Sequence, residues 1–148
     1  MLSAPTATVV EPYAVIYEHD PALDNSAEGF AELYARCMEM GRVDDLPIKP
    51  GEKPTVFYLR HPSGELVDIL KDLWAKHDGP NMVASATVAY CLCRVEGWGH
   101  DEPTWNGVSD KRGHSMVPAE TIDVLRRIPG LIDSLATVVW TNISPSKN

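Results

Sequence analysis

A length of 148 residues suits one domain, and a formal charge of -8, from 21 acidic against 13 basic side chains, leaves no basic stripe to neutralise nucleic-acid phosphates. No apolar run approaches the roughly 18 residues of a membrane span, and residues 1–15 lack the charged and apolar regions of a signal peptide. The expectation is a soluble, cytoplasmic protein that binds neither nucleic acid nor membrane. Three cysteines, Cys37, Cys91 and Cys93, make no disulfide framework and agree with a reducing compartment.

Residues 1–11 read as a flexible arm. In residues 12–19, Tyr13, Val15 and Tyr17 alternate with Ala14, Ile16 and Glu18, the pattern of a strand with one aromatic and β-branched face. The run has an echo at 53–61, where Lys53-Pro54 and Arg60-His61 repeat the charge-Pro opening and the charge-His close of 11–19. The two strands are expected to pair as a small sheet. His19 and His61 read as surface strand ends, and they form a paired site only if the strands align. An insertion at 20–50 separates the strands. Within it Asp24, Asn25 and Ser26 offer N-caps, Phe30, Leu33, Tyr34, Cys37 and Met40 recur at helical spacing, and Gly41 stops the run. Residues 42–53 hold two prolines and a glycine and return as a loop.

Pro62-Ser63-Gly64 starts a helix through Lys76, with Leu66, Ile69, Leu70, Leu73 and Trp74 on one face and Glu65, Asp68, Lys71 and Asp72 on the other. Residues 81–98 carry no charge before Arg94 and are apolar almost all round. That pattern predicts a buried central helix, begun by Gly79-Pro80-Asn81 and ended by Gly97-Trp98-Gly99. A polar loop follows over 99–117, long enough to be functional or mobile. Pro118 opens the next helix, Glu120 and Arg126-Arg127 suit its dipole, and Ile122, Leu125 and Ile128 form its buried side. Pro129-Gly130 breaks it. The last helix spans 131–143, with Leu131, Leu135, Val138 and Val139 inward, and 144–148 is a flexible tail. The sum is a single domain over 1–148, mainly α within the α+β class: a small two-stranded β element packed on a bundle of about five helices.

Few residues suggest chemistry. Cys91 and Cys93 look like half a metal site, but residues two apart on a helix point about 200° away from each other. A zinc site would need the helix to end earlier and His100 or His114 to join, so the cysteines read as buried and apolar. His100, Asp101, Glu102, Asp110 and His114 share the polar loop, yet their spacing matches no zinc, phosphate, nucleophile or Ca²⁺ motif. No metal, cofactor or catalytic residue is expected. Trp74 and Trp140, on helices, read as core. Trp98 and Trp105 bracket the start of the loop, where tryptophan serves either as an anchor or as a contact with a partner.

The order of elements carries a resemblance. P-T-V-F-Y-L-R-H-P at 54–62, a helix, an apolar helix closing in R-V-E-G-W at 94–98, a polar loop and P-A-E-T-I-D-V-L-R-R-I-P-G-L-I-D-S-L-A-T-V-V at 118–139 resemble small tailed-phage proteins encoded among tail morphogenesis genes. These are described as tail assembly chaperones. The resemblance spans 53–143 and leaves the insertion at 20–50 unmatched. It implies a non-enzymatic protein of the host cytoplasm, or one carried in the virion, that binds other phage proteins such as the tape measure or tail tube protein. Such a protein keeps the apolar helices of the tape measure soluble until the tube polymerises, and a homo-oligomer is compatible with that work. The expected contacts are Trp98 and Trp105 together with Phe30, Leu33 and Tyr34 of the 24–41 helix. Two other readings fit the residues: a small acidic regulator or inhibitor that binds a host protein, and a metal-dependent hydrolase using His100, Asp101 and His114.

Overall fold

A computed structural model describes residues 11–62, 64–76 and 80–143. Residues 1–10 of the predicted arm at 1–11, the tail at 144–148, Ser63 and the helix stop at Gly79 lie outside them. The chain is mainly helical with a small β element. In chain order the elements are β1 (Tyr13–Ile16), α1 (Phe30–Met40), β2 (Val56–Leu59), α2 (Glu65–Lys76), α3 (Pro80–Cys91), β3 (Leu92–Glu96), β4 (Val108–Ser109), β5 (Ser115–Met116), α4 (Ala119–Arg126) and α5 (Leu131–Ile143).

The two anticipated strands do pair, antiparallel, with Tyr13 opposite Leu59 and Ile16 opposite Val56. Antiparallel pairing sends His19 and His61 to opposite ends of the sheet, so they do not form a common site. His61 instead lies with its ring centroid 3.8 Å from that of Tyr13, and its Nε2 is 2.7 Å from the Glu11 carbonyl oxygen. His19 sits edge-on to Tyr17 at 5.3 Å.

A third strand corrects the reading of the central helix. The helix does not continue to Trp98; it ends at Cys91, and Leu92–Glu96 turns at once into β3 against the open edge of β2. The register slips between Tyr58 and Leu59: Tyr58 faces Arg94 while Leu59 faces Leu92, which leaves Cys93 as the extra residue of a bulge. That bulge hides the two-residue period, because Leu92 and Val95 are both buried although they lie three apart, a spacing that reads as helical. Strand pairing wins because the edge of β2 would otherwise leave backbone donors and acceptors without partners beside the core.

The predicted helices over 24–41, 62–76, 118–128 and 131–143 all form, the last with the predicted bounds and the others with shifted starts. Asp24 does not cap α1; its Oδ1 accepts hydrogen bonds from the Ser26 N–H at 3.2 Å and hydroxyl at 2.6 Å, a local turn, and the helix begins after Gly29. Pro80 is already helical, so Asn81 lies inside the first turn of α3. The loop at 99–117 contains a short hairpin in which Val108 faces Met116.

The core lies between α3, α5 and the inner face of the sheet. Val88, Cys91, Leu131, Leu135 and Val139 are fully buried there, with Leu70 of α2, Leu125 of α4 and Val15 and Leu59 of the strands. Each such aliphatic side chain contributes about 1.5–3 kcal/mol by leaving water. Small residues on α3 let α5 come close, and the fully buried Thr87 hydroxyl in the contact is satisfied twice: Thr87 Oγ1 donates to the Val83 carbonyl at 2.7 Å and accepts from Trp140 Nε1 at 2.9 Å. A second, smaller core of Ile16, Leu23, Cys37 and Leu46 holds the insertion against β1. Asp20 ties it down, accepting from the Thr55 N–H at 2.9 Å. No helix among the described residues is long and apolar enough to cross a membrane.

Candidate functional site

Trp98 and Trp105, read as bracketing the start of the loop, meet there, and they are half-buried rather than presented. Trp98 stands edge-on to Phe57 at 6.3 Å and to Trp105 at 5.2 Å, and both indoles pack on the main core. Trp105 Nε1 donates to Glu102 Oε2 at 2.7 Å, so the polar handle of this indole is engaged inside the loop itself. Phe30, Leu33 and Tyr34 line the inner face of α1 and close over the smaller core. Tyr34 stacks on Phe30 at 5.9 Å and donates its hydroxyl to the Ile16 carbonyl at 2.5 Å. Burial drives its phenol far above the ordinary tyrosine range, with the Glu18 charge adding to the shift. The two groups of predicted contacts therefore belong to different cores and form no common surface.

The polar loop is organised by Asp110. Its Oδ2 accepts the Tyr90 hydroxyl at 2.8 Å, and its Oδ1 accepts the N–H groups of Arg112 at 2.8 Å and His114 at 2.9 Å. Desolvation raises the Asp110 carboxyl, but these hydrogen bonds and the His114 charge outweigh it and hold the pKa below the usual aspartate value. Desolvation, then the bond to Asp110, pushes the Tyr90 phenol up to about 12. His114 Nε2 reaches Glu65 Oε1 at 2.6 Å and so fastens the hairpin to the first turn of α2. The signal for Asp110 is present in the chain: Asp-Lys-Arg-Gly at 110–113 is a turn signature, with Gly113 at φ 87°. His100 and Asp101 are exposed, whereas His114 is engaged with Glu65. Among the described residues no three His, Cys, Asp or Glu side chains are placed to hold a metal ion. The early end of α3 does not bring the cysteines into service either. Burial pushes the Cys91 thiol up to about 12, against the opposing pull of Arg60, and Cys93 Sγ donates to the Tyr58 carbonyl at 3.3 Å.

The most exposed tryptophan was expected in the core. Trp74, near the end of α2, is 55 % exposed, and its ring lies 5.6 Å from that of Trp140 on α5, tilted by 46°. The two indoles, with Val83, Ala84 and Ala136, line a groove of about 400 Å³ on one side of α5. A second groove of about 360 Å³ runs on the other side, against Ala35 and Met38 of α1. Asp133, Thr137 and Thr141 form the ridge shared by both; their spacing of four places them on one stripe of the helix. The polar groups here are largely spent inside the protein. Thr137 Oγ1 donates to the Asp133 carbonyl at 2.7 Å, and Asn142 Nδ2 donates to the carbonyls of Val138 at 2.8 Å and Glu39 at 3.1 Å. An apolar partner could cover Thr137 without orphaning its hydroxyl, while the Ser134 and Thr141 hydroxyls remain available to a polar group of the partner. The amphipathic pattern of α2 assigned Trp74 to the buried face. Trp74 reaches only the rim of the groove, where its ring meets that of Trp140.

No family model, curated protein or solved structure matches this chain.

Proposed function

We propose that the protein works by binding another protein and not by catalysis, as an assembly protein of the tailed-phage kind it resembles. The observation that carries this reading is the tryptophan-lined surface astride α5. Two touching indoles, one of them 55 % exposed, border a groove lined mainly by apolar side chains, with the Thr137 hydroxyl already engaged. Tryptophan at the edge of such a groove supplies a large contact area at small entropic cost, the character of a binding hot spot. A groove beside a rigid helix is also the form in which proteins shield an apolar partner helix from water. The acidic balance of the chain, -8 overall, adds solubility to the complex. In this reading the partner is a helical tail component such as the tape measure protein. The contact surface is Trp74 and Trp140, while Trp98, Trp105, Phe30, Leu33 and Tyr34 hold the scaffold that carries it.

Co-expression tests the reading. The tagged chain is produced together with a tape measure segment that is insoluble alone, and the soluble yield of that segment is measured. The reading expects the segment to become soluble and to elute with the tag at a fixed ratio, and Trp74→Ala to reduce the recovery. An insoluble segment beside a clean, folded chain would contradict the assembly role. Recovery of one defined host protein in its place would favour a regulatory role on the same surface.

A further inference from the structure

The charges around α5 narrow the chemistry of the partner. Among the described residues two charged side chains line the grooves, Asp133 on the shared ridge and Glu39 in the groove against α1, and both are carboxylates. No cation lies within salt-bridge distance of either among the described residues. Asp72 and Asp123, in contrast, are paired, with Lys76 at 3.0 Å and with Arg126 at 3.3 Å. Among the described residues the lining of both grooves holds carboxylates and no basic group, the Arg126 side chain lying in the adjoining pocket with Ser85, and this complements a segment of the opposite pattern.

Resting on the protein-binding reading above, we propose that the Trp74–Trp140 groove takes a basic amphipathic helix, its apolar face on the indoles and its Lys or Arg side chains on Asp133 and Glu39. The lengths agree. α5 has 13 residues, about 20 Å at 1.5 Å per residue, which accommodates three to four turns of a partner helix. Apolar residues at the first, fourth or fifth and eighth positions of that helix would face the channel, and a basic residue one turn away would reach the ridge. A second copy of this chain is the poorer occupant, because symmetric pairing over α5 sets the same two carboxylates against each other. The first ten residues of the chain contain no Lys or Arg, so they do not supply the charge either.

Three synthetic helices of about 18 residues (five turns) test the proposal, all with the same leucine face and with lysine, glutamine or glutamate elsewhere. Binding to the full chain is followed by tryptophan fluorescence and calorimetry. The lysine peptide is expected to bind one to one, and the glutamate peptide to fail at the same concentration. Trp74→Ala should weaken the lysine peptide about tenfold or more, the loss expected for a hot-spot aromatic. Glu39→Gln combined with Asp133→Asn should weaken it several-fold and flatten its salt dependence, whereas Glu18→Gln combined with Asp101→Asn, which removes two carboxylates that do not line the grooves, should leave it unchanged. If the glutamine or glutamate peptide binds as well as the lysine peptide and Trp74→Ala still releases it, the basic class is wrong and the protein-binding reading stands. If Trp74→Ala binds every peptide as the parent does, the groove is wrong and the reading that rests on it falls too. A stable dimer at micromolar concentration that dissociates on Trp74→Ala would replace the basic helix by a second copy.

Discussion

Two pairs of tryptophans touch in this protein, and the pairs behave in opposite ways. Trp98 and Trp105 lie in a polar loop, yet their rings, 5.2 Å apart, are packed against Phe57 and the core. Trp74 and Trp140 lie on helices, and their rings are 5.6 Å apart, yet Trp74 is left more than half exposed. What separates the pairs is the platform each one meets. A strand side chain, Phe57, stands under Trp98, and the loop supplies Glu102 for the indole of Trp105. Trp74 instead rests its ring at the rim of a groove beside Trp140, whose own nitrogen is bound inward to Thr87. Placement in a loop or helix thus says less about exposure than the neighbour across the fold.

The comparison breaks most severely if the platform is removed. Phe57→Ala should cost about 3–5 kcal/mol, the usual penalty for emptying a buried aromatic site, read as a lower midpoint in denaturant with Trp98 fluorescence shifted toward that of exposed indole. Next comes the turn that aims Trp98. Gly97 has φ 78°, and a methyl group there would collide with the Pro54 carbonyl oxygen. Gly97→Ala should therefore cost about 2 kcal/mol or more, and chemical denaturation with near-ultraviolet circular dichroism would register both the loss and the displaced ring. The sharpest contrast is between single truncations. Trp98→Ala should destabilise by about 2 kcal/mol, while Trp74→Ala should stay within about 0.5 kcal/mol and instead diminish binding. Equal losses of stability would mean that Trp74 is a core residue after all.

The smallest effect concerns acid. Because Asp110 has a depressed pKa in the folded chain, its hydrogen bonds stabilise the hairpin fully above the ordinary aspartate value of about 3.9. That contribution is lost as pH falls through the lower folded value. Amide signals of 108–116 should sharpen or broaden together over that range in an NMR titration, and Asp110→Asn should remove the step while leaving α5 unaffected.

Much of the fold is legible in the sequence because its elements bury continuous periodic faces. Leu66, Leu70, Leu131 and Leu135 mark their helices, and the pairing of β1 with β2 follows from two matched apolar runs. β3 was obscured by the bulge at Cys93, which replaced the alternating pattern with a helical spacing. The insertion helix began later than its polar caps suggested because Asp24 spent its carboxylate on Ser26. The candidate site was the least legible part. Exposure of Trp74 depends on how α2 and α5 cross, and no local pattern in either helix encodes that. Phe30, Leu33 and Tyr34 could equally have faced a partner; only the return of 42–53 and β1 over them makes them interior.

The most direct measurement places fluorine on the four tryptophans and follows their resonances in the presence of a soluble paramagnetic probe, before and after the lysine peptide or the tape measure segment is added. The account predicts that Trp74 is strongly broadened in the unbound protein and protected in the complex, with Trp140 shifted beside it and Trp98 and Trp105 little changed. Protection of Trp98 and Trp105 with Trp74 still accessible would contradict it and move the binding surface back to the polar loop.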